Sequence, residues 1–178
     1  LVQEFKVDMT RTLMGDLYGS TWLNDELINY TMAMINARDL HEMKKRMLLP
    51  HNDQTNPPKR RIWCVRTFFM TQLESTSWTS KDMKKWSKKA KLGGTKNSIF
   101  DLWKMVIPIN EGPNAHWTSV HVDFTTKAIL YLDSKGSGGQ KYLDLVMNYL
   151  KNEHFAKLGT LLNESEWTMK SLGRTIPQ

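Results

Sequence analysis

The chain has 178 residues and a mass of 20.7 kDa, the length of one ordinary domain with room for a sizeable core. A content of 40% hydrophobic and 24% charged residues excludes a wholly disordered chain. Lys and Arg number 25 against 18 Asp and Glu, and the net charge of +7 is compatible with nucleic acid, anionic lipid or an acidic protein as partner without choosing among them. No apolar run approaches the length that crosses a bilayer, and Glu4, Lys6 and Asp8 break up the start where a signal peptide would be apolar. A soluble, intracellular protein is therefore expected. Cys64 is the single cysteine, so no internal disulfide forms, and no Cys and His cluster has zinc-ligand spacing. Neither metal nor cofactor is expected.

In chain order, the first predicted element is a helix from Trp22 to Arg38. Thr21 and Asn24 can cap it, Asp25 and Glu26 suit its first turn, and Leu23, Leu27, Ile28, Ala33 and Ile35 recur at roughly helical spacing. The pattern turns basic over Leu40 to Met47, and Pro50 to Arg61 reads as a loop. The apolar run Ile62 to Met70 predicts a buried strand. Trp78 to Leu92 predicts a helix with Met83, Trp86 and Ala90 on one face, lysines over the rest, and Gly93 and Gly94 at its end. A strand follows at Leu102 to Ile109, then a loop from Asn110 to Ala115. Trp117 to Val122 and Ile129 to Leu132 read as a hairpin. The turn-rich segment Ser134 to Gly139 leads into a helix from Gln140 to Asn152, a further helical stretch over Phe155 to Leu162, and a short strand at Trp167 to Met169. This order predicts an α+β domain rather than a regular βαβ alternation.

His116 falls just before one hairpin strand and Asp133 just after the other. A four-residue turn at Asp123 to Thr126 pairs position 122 with 127 and position 116 with 133, which sets the imidazole across from the carboxylate. Such a pair is the orienting half of a nucleophile, base and acid triad; it is equally the pattern of a surface ion pair. A one-residue slip of the turn is expected to put the two on opposite faces.

The segments WLNDELINY (22–30), TFFM (67–70), VIPIN (106–110), HWTSVHVD (116–123) and LDSKG (132–136) closely resemble the cysteine proteases that process the ubiquitin-like modifier SUMO, the sentrin-specific, Ulp-type family. The resemblance runs in order from about Leu13 to the last residue. It implies a papain-like cysteine proteinase fold, with a central mixed sheet flanked by helices. It makes His116 the general base, Asp133 its orienting acid, and Trp22 and Trp117 the walls of a tunnel for a Gly-Gly tail. Between two indoles a side chain would clash, so such a tunnel selects glycine by exclusion. Asp25 matches an acidic position facing a basic residue near the modifier's tail; a helix N-terminal acid also explains it. Trp22 could equally be a hydrophobic staple and Trp117 a core indole.

The family's Asp-Cys-Gly nucleophile motif and the oxyanion glutamine before it do not occur in residues 1–178, although Ile176, Pro177 and Gln178 match the approach to them. The resemblance thus implies a single, C-terminally truncated catalytic domain spanning 1–178, with the nucleophilic cysteine beyond Gln178; Gln178 itself is given no role. Cys64 sits between Trp63 and Val65 in an apolar run and reads as a buried structural thiol. The expected partners are SUMO or a related modifier such as the NEDD8 type and its conjugates, the chain itself is expected to be a monomer, and the resemblance suggests a nuclear location. The alternatives are a catalytically dead modifier-binding module, or a nucleic-acid binder using the lysine-rich helix and Lys59 to Arg61. Lysines spread around an amphipathic helix without exposed aromatics read as a solvated face, so nucleic acid is not the expected partner.

Overall fold

The computed structural model describes residues 2–4, 7–18, 22–48, 59–76, 81–93, 96–112, 116–136 and 138–173. A short antiparallel pair, β1 (Val2–Glu4) and β2 (Val7–Met9), and the one-turn helix α1 (Arg11–Gly15) precede the long helix α2 (Asp25–Met47). Then come β3 (Ile62–Cys64), α3 (Phe68–Ser75), α4 (Lys81–Lys89), β4 (Lys104–Asn110), β5 (Trp117–Asp123), β6 (Ala128–Leu132), α5 (Gln140–Leu158) and β7 (Thr168–Ser171). The second sheet has the order β3-β4-β5-β6-β7, antiparallel in the middle and parallel at both outer pairs. A mixed sheet flanked by helices is the α+β arrangement expected. Among the described residues no helix is long and apolar enough to cross a membrane.

Alternation along β5 and β6, continued by every second residue of β4, gives the sheet a fully buried apolar face: Met105, Ile107, Ile109, Val120, Val122, Ile129 and Tyr131. It packs in one cluster with Leu143, Val146, Met147 and Leu150 of α5 and Phe69, Met70 and Leu73 of α3. Phe69 is its aromatic hub, meeting Trp86 and Tyr149 edge-on with ring centroids 5.2 Å apart in each case.

Helix α2 starts at Asp25 because Asn24 caps it, its side-chain oxygen accepting the Leu27 N–H at 3.0 Å. Thr21, the other predicted cap, lies outside the described residues. The helix runs to Met47, beyond the expected Arg38; the basic stretch is its last turn, where Lys44, Lys45 and Arg46 complement the dipole. A row of α2 side chains then closes the outer edge of β3. The Asn36 carboxamide donates to Cys64 O at 2.6 Å and accepts from Cys64 N–H at 3.0 Å, as a neighbouring strand would. Asn29 accepts the Thr67 N–H at 3.0 Å, and Asp39 pairs with the buried Arg60 guanidinium at 3.0 Å.

The run Ile62 to Met70 is not one strand. β3 ends at Cys64 and α3 begins at Phe68, so the TFFM segment is mostly helical and Phe68 faces solvent, 68% exposed. An apolar run of this length has no period that separates strand from helix. The helix expected from Trp78 is described over Lys81–Lys89 only; Gly94 and most of the Pro50 to Arg61 loop lie outside the described residues. The two stretches expected at 140–152 and 155–162 form the single helix α5, stopped by Gly159 at φ 75°.

The hairpin register also differs. The turn is Phe124 to Lys127, so Asp123 faces Ala128 and Ser119 faces Leu132. Asp123 stays in the strand because its carboxylate accepts the N–H groups of Thr125 and Thr126, both at 3.0 Å, while Lys127 takes the left-handed conformation at φ 51°. His116 is therefore not directly opposite Asp133. The turn lies one residue later than expected, which shifts the pairing by two, and two residues preserve the face; a one-residue slip of the turn therefore does not separate the pair, contrary to expectation.

Candidate active site

His116 closes the loop before β5 and Asp133 follows the last residue of β6. Their side chains meet: His116 Nε2 lies 2.6 Å from Asp133 Oδ1, with both residues buried. The same oxygen accepts the Lys135 N–H at 2.8 Å, a bond that fixes the carboxylate by local backbone geometry. Because Nε2 is engaged, Nδ1 is the imidazole nitrogen left to exchange a proton with a reactant. A carboxylate on the other nitrogen holds the tautomer and stabilises the imidazolium once it forms.

The segment carrying His116 is anchored by a residue that the sequence did not single out. Glu111 donates its N–H to His116 O at 2.8 Å. Its carboxylate accepts hydrogen bonds from Tyr131 Oη at 2.9 Å and Thr118 Oγ1 at 3.2 Å. Burial pushes the Tyr131 phenol far above its ordinary range, so it keeps the proton it donates to Glu111. Gly139 leaves room for the Tyr131 ring: its φ is 94°, and an added Cβ would stand 2.1 Å from Tyr131 Cδ1. The only sequence hint of this network is a carboxylate beside the VIPIN strand, and its partner Tyr131 lies 20 residues on.

Trp117, the residue after His116, opens a cleft of about 450 Å³ whose walls include Trp22, Trp117, Asp25, Asn110 and Phe68, while neither His116 nor Asp133 lines it. Trp117 donates its indole N–H to Leu23 O at 2.6 Å, tying the start of β5 to the segment before α2. Trp22 is 57% exposed and Trp117 half-buried outside the core cluster, so neither staple nor core indole describes them. Asp25 is at once the first residue of α2 and part of the cleft wall. Phe68, placed by the sequence reading in a buried strand, is a further exposed ring on this cleft.

Cys64 is elsewhere. It is level with His121 through β4, five residues along the strand from His116, or roughly 17 Å at strand spacing. Burial pushes its thiol up to about 11, so at neutral pH it is protonated and unreactive.

The chain matches the family model described as the Ulp1 protease family, C-terminal catalytic domain, over residues 21–178. It is 31% identical over 179 residues to sentrin-specific protease 2 of Rattus norvegicus, covering 100% of this chain and 26% of that protein. It is 27% identical over 175 residues to the ubiquitin-like-specific protease ESD4 of Arabidopsis thaliana, covering 97% of this chain and 32% of that one. It thus spans between a quarter and a third of the length of these relatives. Among solved structures, the SUMO protease Ulp1 with its catalytic cysteine oxidized to a sulfenic acid superposes with a TM-score of 0.68 at 20% identity, covering 96% of this chain and 64% of that one. The Ulp1 protease domain in complex with Smt3, the yeast ortholog of SUMO, gives 0.64 at 20% identity, over 94% of this chain and 64% of that one. These likenesses show the fold, and the family match extends through the described site: the chain belongs to the Ulp1 protease family.

Proposed function

We propose that this chain is the greater part of a single cysteine-protease catalytic domain that cleaves after the C-terminal Gly-Gly of SUMO or a related modifier, both in precursors and in conjugates to lysine. The observation that carries the reading is the His116 and Asp133 pair at 2.6 Å, with His116 next in sequence to Trp117 of a cleft walled by two indoles. In this reading the attacking sulfur belongs to a cysteine after Gln178, since Cys64 is buried, protonated and remote. His116 Nδ1 takes the thiol proton, and the thiolate attacks the carbonyl of the terminal glycine. The tetrahedral adduct collapses with loss of the amine, which takes the proton from the imidazolium. Water, deprotonated by His116, then splits the thioester and restores the thiol. Asp133 stabilises the imidazolium in both halves. Trp22 and Trp117 admit a tail without side chains, and Asp25 faces a basic group near it. The working location in this reading is the nucleus.

The test is cleavage of a SUMO-lysine conjugate by the full-length protein, with binding of mature SUMO measured alongside. Cleavage that His116→Ala abolishes, with a tail affinity that Trp117→Ala weakens, is the expected result. A full-length parent that leaves the conjugate intact, or a Trp117→Ala variant that binds as the parent does, overturns it.

A further inference from the structure

We propose that Lys135 is a positioning residue that clamps the Trp22 wall of the cleft and so sets the grip on a Gly-Gly tail; this rests on the reading of the cleft given above. The two indole walls are held in different ways. Trp117 is fixed by a hydrogen bond from its Nε1 to Leu23 O. Trp22 lies in the non-helical segment before α2, largely exposed. Among the described residues, the only polar or ring partner of its indole is the Lys135 ammonium, 4.8 Å from the ring centroid. Lys135 does not itself line the cleft, so the ammonium supports the indole without occupying the space a tail would fill.

The placement of Lys135 follows from the acid of the catalytic pair. Its N–H is bonded to Asp133 Oδ1, which fixes the backbone from which its side chain reaches Trp22. Among the described residues no carboxylate stands within ion-pair distance of Lys135, so the ammonium is committed to the ring. One short turn therefore serves both halves of the site: Asp133 orients the base, and Lys135, two residues on, orients the wall. Without the cation, an exposed indole on an irregular segment samples other rotamers and must be ordered by the tail at a cost in affinity.

The test measures binding of full-length protein to SUMO ending in Gly-Gly and to the same modifier stopped before the glycines. Both Lys135 and Trp22 are exposed, so their variants fold. Lys135→Met, which keeps length and loses charge, is expected to weaken binding of the Gly-Gly form by roughly two- to fivefold, the equivalent of an exposed cation–π contact. Lys135→Arg is expected to bind as the parent, because a guanidinium also stacks on indole. Neither change should alter binding of the shortened modifier, and Lys135→Met should add nothing in a Trp22→Ala background. If Trp22→Ala weakens the Gly-Gly form but Lys135→Met does not, the clamp is refuted and the cleft reading stands. A loss shared equally by the shortened modifier also refutes the clamp. A Trp22→Ala variant that binds the Gly-Gly form as the parent does refutes the cleft reading, and the clamp with it.

Discussion

Replacing Glu111 by alanine tests whether its carboxylate holds the His116 segment in place. The substitution removes the shared acceptor of Tyr131 Oη and Thr118 Oγ1, both on buried residues. Each donor left without a partner costs about 1–3 kcal/mol, so the loss is roughly 2–6 kcal/mol if neither finds another partner. For a chain of this size that corresponds to a fall in Tm of about 4–24 °C. Glu111→Gln keeps an amide oxygen where the carboxylate oxygen was, and should recover most of the loss. The Glu111 N–H bond to His116 O is a main-chain contact that survives both changes, so a stability loss isolates the carboxylate. Thermal unfolding followed by circular dichroism of parent, Ala and Gln variants reads the effect. A Tm for Glu111→Ala within about 2 °C of the parent, or a Gln variant as unstable as the Ala one, would refute the network as an anchor.

Gly139→Ala should be among the most damaging single-methyl changes in the chain, because the new Cβ would overlap the buried Tyr131 ring at a positive φ. A loss of about 2–4 kcal/mol in denaturant unfolding is expected, and parent-like stability would contradict the close approach. Cys64 in the native fold should resist iodoacetamide across pH 6–9, since its thiol is raised to about 11 by burial; labelling as fast as a small free thiol would place it at the surface. The linked stability effect has a definite sign. The unfolded thiol ionises at about 8.5 and the folded one later, so the unfolded state gains as pH rises. Stability should then fall by up to roughly 1.4 kcal/mol per pH unit between about 8.5 and about 11. Comparison with Cys64→Ala isolates that slope; identical slopes for the two proteins would contradict it.

What the sequence disclosed depended on whether the deciding force was local. The alternation of Trp117 to Val122 with Ile129 to Leu132 identified the hairpin, and a period of two kept His116 and Asp133 on one face, because a turn one residue later than expected shifts the pairing by two. The error came from Asp123, a turn-forming residue that instead ends the strand and accepts the turn's N–H groups with its carboxylate. Helix α3 stayed hidden because Ile62 to Met70 carries no period, and its start depends on Asn29 of α2, 38 residues earlier, bonded to Thr67. The continuation of α2 past Arg38 owes much to Asp39, whose bond to buried Arg60 crosses a segment no local pattern spans. Trp22, Trp117 and Asp25 entered through family resemblance alone, since spacing 95 residues apart shows nothing of a shared cleft. Glu111, Phe68 and Lys135 were found only in three dimensions, each defined by a partner or a cleft wall distant in sequence.

The central claim is that Asp133 makes His116 an effective base, and single-turnover cleavage of a SUMO conjugate by full-length Asp133→Asn protein tests it most directly. Asparagine keeps the shape while removing the charge that stabilises the imidazolium. The account predicts a fall in rate of about 10³–10⁴-fold with binding of mature SUMO retained. A variant that cleaves within about tenfold of the parent rate would show that the 2.6 Å contact is structural and that the chemistry lies elsewhere.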